Sequence, residues 1–132
     1  MTVVPLLNDE AAGAEALAVF DDIRAKRNTD YINNFWRALA SDPALLKATW
    51  ERLQQVMAPG ALDPLVKELI YIAVSATNGC SYCVHSHTAA ARAKGMTPAQ
   101  HGELMAVIAM ASQTNALAQS LQVEPDERFV VQ

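Results

Sequence analysis

This chain of 132 residues predicts an all-α fold, a single-domain helical bundle over 1–132. Three observations carry that reading. Alanine is the commonest residue, and no stretch alternates Val, Ile, Thr and aromatic residues with polar ones, so the helical period is unopposed. A capping side chain stands directly before a proline three times, at Asp42-Pro43, Asp63-Pro64 and Thr97-Pro98. Stops follow at Pro59-Gly60, Asn78-Gly79 and Gly95, where a left-handed residue can close a helix.

Taken in order, the first helix spans 9–27 and the second 30–40. The third, 43–57, opens at Asp42-Pro43 and ends before Pro59-Gly60, with Phe35, Trp36 and Trp50 read as packing residues. The fourth, 64–77, is apolar on almost every side, which predicts burial all round. A small domain struggles to surround one helix, so other copies of the chain are expected to cover part of it; an ordinary central helix in a monomer is the alternative. The fifth helix, 80–94, begins after the turn at Asn78-Gly79, and the sixth, 98–121, opens on the T-x-x-Q capping box of Thr97 and Gln100. The tail, 122–132, is a polar turn with a short apolar end, either loose or docked on a partner subunit.

Composition narrows the function. With 52% apolar and 18% charged residues the chain is not disordered, and its net charge of −4 opposes binding to nucleic acid or anionic lipid. No apolar run approaches the ~20 residues of a membrane span. The first ten residues lack a basic stretch followed by a long apolar one, so the cytoplasm is the expected compartment. There a purely structural disulfide is not expected, and the two cysteines, Cys80 and Cys83, read as redox-active or metal-binding.

Glu68 stands inside the apolar fourth helix, where an ionised carboxylate needs a partner or a route to the surface at the positive end of the helix. Cys80 and Cys83 open the fifth helix three residues apart, and His87 follows Cys83 by one turn on the same face. Glu68 lies ten residues before Asn78 and His87 eight after Gly79, so the two reach a similar depth below the turn. A carboxylate, an imidazole and a thiol line up across a helical hairpin. A helix N-terminus favours a thiolate, an imidazole can take its proton, and a carboxylate can orient the imidazole. Cys80 would then trap oxidised Cys83 as a disulfide. Structural zinc on Cys80, Cys83, His87 and His85 is the alternative, although two histidines two residues apart on a helix diverge by about 200°. His85 and His101 are read as solvated surface residues.

Segment 68–87 (ELIYIAVSATNGCSYCVHSH) resembles the E-x(11)-C-x-x-C-x(3)-H signature of the alkylhydroperoxidase D-like proteins of the carboxymuconolactone decarboxylase superfamily. Segments 35–43 (FWRALASDP) and 62–64 (LDP) resemble the flanking helix and turn, so the family-like core covers about 28–112. The resemblance implies an all-helical trimer or hexamer and a thiol peroxidase that needs no metal or other cofactor. Cys83 would attack the hydroperoxide, Cys80 would resolve it, His87 would be the base and Glu68 would stand behind it. A dithiol of lipoamide or thioredoxin type would regenerate the couple. The family's best-known hydroperoxidase has a further histidine between its cysteines, where this chain has Tyr82. Two other classes remain: a redox sensor or adaptor without turnover, and a decarboxylase, whose chemistry has no use for a C-x-x-C.

Overall fold

The computed structural model describes residues 1–130; the last two residues of the tail lie outside it. It contains six α-helices and no strand among the described residues: α1 (Gly13–Arg27), α2 (Asn34–Leu39), α3 (Pro43–Met57), α4 (Pro64–Thr77), α5 (Ser81–Ala93) and α6 (Pro98–Ser120). A 3-10 turn, Glu127–Phe129, follows in the tail. The chain divides into two compact units, Met1–Ala58 and a second that begins at Pro59.

In the first unit α1 starts four residues later than predicted. The Asn8 side chain accepts the Ala11 N–H at 2.9 Å, and its carbonyl accepts that of Ala12 at 3.0 Å, which bends residues 8–12 into a turn. Gly13 then takes φ +76°, a conformation that favours glycine. The second helix is also shorter than its predicted 30–40. Asn28 closes α1 at φ 49°, and the Arg24 Nε donates to the Asp30 carbonyl at 3.0 Å. The chain then runs on without helix to plant Ile32, 1% exposed, in a core with Phe20, Ile23 and Leu46. Trp36 and Trp50 meet edge to face at 5.4 Å within that core, as packing residues should. Phe35 is 42% exposed, against expectation, with one ring edge on Trp36.

The second unit is built on the α4–α5 hairpin. Asp63 and Thr97 cap α4 and α6 as predicted, accepting the N–H groups of Leu65 at 2.8 Å and Gln100 at 3.1 Å. Gly79, at φ +71°, reverses the chain after α4, and the Cys80 N–H bonds back to the Ser75 carbonyl at 2.9 Å. Ile72, Ala91 and Met96 form the buried core, with Leu65, Leu69 and Leu104 packed against it. Burial of α4 all round is not what the chain achieves. Glu68, Ile72 and Ser75 face inward, but Val66, Ile70 and Val74 remain 40%, 47% and 53% exposed along one stripe. α6 has no buried residue, and Met105, Met110 and Leu117 stand in solvent. One chain supplies three helices to this unit, too few to enclose its central one.

An exposed apolar stripe of this kind marks a surface that another protein covers. The expected state in solution is an oligomer, a trimer or a multiple of it, and sedimentation at micromolar concentration measures this. Covering Val66, Ile70 and Val74 contributes about 1 kcal/mol each, so Val74→Glu should shift the protein toward monomer without unfolding it. A wild-type monomer would contradict this reading of the stripe.

Candidate active site

Glu68 sits on the second turn of α4, on the inward stripe with Ile72 and Ser75, and is 4% exposed. Two side chains reach it. His87 Nδ1, from α5, lies 2.7 Å from Oε2, and Lys94 Nζ, just past the end of α5, lies 3.0 Å from Oε1. Both carboxylate oxygens are therefore occupied, and no buried side-chain polar atom among the described residues lacks a partner. Burial pushes the Glu68 carboxyl up, but hydrogen bonds from His87 and Lys94 and their charges outweigh it, holding it below its ordinary 4.5.

An ionised carboxylate only accepts hydrogen bonds, so the proton between these groups belongs to His87 Nδ1. The neutral ring then keeps its lone pair on Nε2. Tyr71, one turn beyond Glu68 on α4, stacks on the imidazole at 3.5 Å with an interplanar angle of 18° and holds it flat. The His87 side chain is 17% exposed: its ring is oriented, mostly buried, and still reachable.

Cys80 is the N-cap of α5 and Cys83 its third residue; the two are joined in a disulfide with a Cα–Cα distance of 5.3 Å. The Cys83 N–H donates to the Cys80 sulfur at 3.2 Å, so the disulfide pair is also the helix cap. Cys83 and His87 are related by one turn of α5. The structure thus bonds Glu68 to His87 and Cys80 to Cys83, and the helix period relates the two pairs. His85 is exposed, with Nδ1 2.8 Å from the Ser81 carbonyl, and Tyr82 is 44% exposed. His101 is half-buried rather than fully solvated, because the start of α6 is the part of that helix nearest the core. Among the described residues no three His, Cys, Asp or Glu side chains gather as ligands for a metal.

Two members of the site escaped sequence reasoning. Tyr71 stands three residues after Glu68, and Lys94 seven after His87, two turns along the face that carries Cys80 and Cys83. That spacing was the available signal for Lys94.

The family model of the carboxymuconolactone decarboxylase family matches residues 43–123, from the start of α3 to beyond α6, and so includes Glu68, Cys80, Cys83, His87 and Lys94. The chain belongs to this family. The chain is 37% identical over 91 residues to a protein of Solibacter usitatus named alkyl hydroperoxide reductase AhpD, covering 69% of this chain and 50% of that one. It is 32% identical over 102 residues to the protein of the same name from Azorhizobium caulinodans, covering 75% and 56%. The chain thus spans about half the length of these relatives. The crystal structure of an alkylhydroperoxidase AhpD core from Rhodospirillum rubrum superposes with a TM-score of 0.96 at 60% identity, covering 100% of this chain and 99% of that one. This family member is therefore similar in fold along its whole length to a solved core protein.

The Glu68 cluster has a consequence for stability. A carboxyl held below its unfolded value stabilises the fold at pH above about 4.5, and that contribution is lost as pH falls through the lower folded value. Melting temperature against pH should therefore drop through the acid range, and Glu68→Gln should flatten that drop. Lys94→Met should move the drop to higher pH and cost about 1 kcal/mol at neutrality, a modest figure because the ammonium is partly exposed.

Proposed function

We propose that this protein is a thiol-dependent hydroperoxide reductase with Cys83 as nucleophile, Cys80 as resolving thiol, His87 as base and Glu68 as the group that orients and charges His87. The observation that carries this is the 2.7 Å bond from buried Glu68 to His87, one turn along α5 from a Cys80–Cys83 disulfide. A purely structural disulfide needs no oriented imidazole with a buried carboxylate behind it. The names of the AhpD relatives and of the solved core support the same reading.

In the reduced protein the Cys83 thiol gives its proton to His87 Nε2, and the thiolate rests in the first turn of α5, where the positive end of the helix dipole favours negative charge. The thiolate attacks one peroxide oxygen: an S–O bond forms, the O–O bond breaks, and the departing oxygen takes the proton from His87 to leave as alcohol or water. Cys83 is then a sulfenic acid. Attack by the Cys80 thiolate on its sulfur expels water and forms the disulfide seen in the structure. A dithiol of lipoamide or thioredoxin type restores both thiols by exchange. Glu68 keeps Nδ1 protonated throughout, so that Nε2 is always the nitrogen that exchanges protons with Cys83 and the peroxide.

With dithiothreitol as reductant the protein should consume many equivalents of an organic hydroperoxide; a sensor would stop at one. Cys83→Ser should abolish consumption, while Cys80→Ser should turn over once and leave a sulfenic acid on Cys83, detected with a dimedone-type reagent and peptide mapping. Label on Cys80 in the Cys83→Ser protein, and none on Cys83 in its counterpart, would reverse the two roles.

Glu68→Gln keeps the shape of the side chain but removes the fixed negative charge. It should leave the helices intact and lower the peroxidase rate roughly 10²–10⁴-fold. A fully active Glu68→Gln protein would take Glu68 out of the reaction.

A further inference from the structure

Between the end of α4 and the start of α5 the surface carries an open hollow of about 260 Å³. Ser75 and Ala76 line it from α4, Gly79 and Cys80 from the turn, and Val84 and His85 from α5. Glu68, Tyr71, His87 and Lys94 do not. Helix geometry sets His85 and His87 about 200° apart around α5, so the two imidazoles stand on opposite faces of the helix that the disulfide caps.

The bond made by His85 fixes its tautomer. A carbonyl oxygen only accepts, so Nδ1–H donates to the Ser81 carbonyl at 2.8 Å, and the lone pair of the neutral ring is on Nε2. An exposed imidazole with its Nε2 lone pair available, in a mostly apolar hollow that Cys80 also lines, suits an incoming thiol on an alkyl chain.

We infer that this hollow is where the dithiol reductant docks, that it attacks Cys80, and that His85 is the base which takes the proton of the attacking thiol. The inference rests on the peroxidase reading for its place in a cycle, though the exchange itself can be measured without peroxide. His85 Nε2 takes the proton of one reductant thiol, and the resulting thiolate forms a bond to the Cys80 sulfur. The Cys80–Cys83 bond breaks, and its electron pair leaves on Cys83, the sulfur served by the α5 N-terminus and His87. The second reductant thiol loses its proton to the Cys83 thiolate through solvent and attacks the reductant's own sulfur in the mixed disulfide. The electron pair of that bond returns to Cys80, which takes the proton held by His85. The products are two protein thiols and an oxidised cyclic disulfide.

The groups that set the charge around His85 are few. α4 presents uncharged Ser75 and Ala76 to the hollow, and the titratable residues within one turn on α5 are Tyr82, His87 on the opposite face and, once reduced, Cys83.

The test uses full-length protein oxidised with diamide and reduced by dihydrolipoamide, with thiol release followed in time. His85 is exposed, so His85→Gln should fold and melt like the wild type. It should be reduced at least about tenfold more slowly at neutral pH, and the gap should close above roughly pH 9, where the dithiol supplies its own thiolate. Reduced His85→Gln should react with cumene hydroperoxide in a single turnover at the wild-type rate. Ala76→Trp should raise the dihydrolipoamide concentration for half-maximal rate by filling the hollow. A mixed disulfide trapped with a monothiol should map to Cys80. Equal rates of reduction for wild type and His85→Gln, a gap that persists at high pH, or a mixed disulfide on Cys83 would overturn the inference. Absence of peroxide turnover in wild type would overturn the peroxidase reading instead, and the reduction assay would still report on His85.

Discussion

A carboxylate buried on an apolar helix is the constraint around which the second unit is organised. Glu68 is 4% exposed, and leaving its charge unpaired there would cost several kcal/mol. The cost is offset only if α5 runs back along α4 at one register, because His87 must meet Oε2 and Lys94 must meet Oε1. Shifting α5 by one residue would rotate both partners away by about 100°. The same requirement gives Gly79 its importance, since a tight reversal at φ +71° puts both helices at matching depth. The electrostatics that could destabilise the hairpin thus specify it.

Much of this is legible in residue order. α3 and α4 begin where Asp-Pro pairs predict, because an aspartate that accepts an early N–H and a proline that needs no donor agree on one start. The meeting of Glu68 and His87 follows from counting residues on either side of Asn78-Gly79, since both helices rise at the same rate. The start of α1 is not legible in this way: the Asn8 turn and Ile32 answer to a core whose members are distant in sequence. Lys94 was hidden for another reason. It lies beyond the last residue of α5 and reaches back with a long side chain, so local pattern marks it only as a helix-ending cation.

The apolar stripe of α4 shows where reasoning from one chain stops. Val66, Ile70 and Val74 carry the pattern of a buried face, and sequence reads them as buried. Periodicity reports that a surface is apolar, while the partner that covers it is a matter of assembly. α6 poses the same question over 23 residues, none of them buried.

The position of the disulfide explains how a redox change can be local. Cys80 caps α5 from outside the helix and Cys83 is its third residue, so their separation is that of an ordinary first turn. The Cα–Cα distance of 5.3 Å already lies within the range a disulfide spans. Forming or breaking the bond therefore needs side-chain rotation and no change in the path of α5. His87 and its bond to Glu68 lie one turn beyond the sulfurs, on backbone that oxidation does not have to move. An imidazole held in this way keeps its orientation whether the disulfide is formed or broken, as the proposed cycle requires. The opposite face of α5 is equally undisturbed, so the hollow beside Cys80 and the His87 side of Cys83 can serve different molecules in sequence.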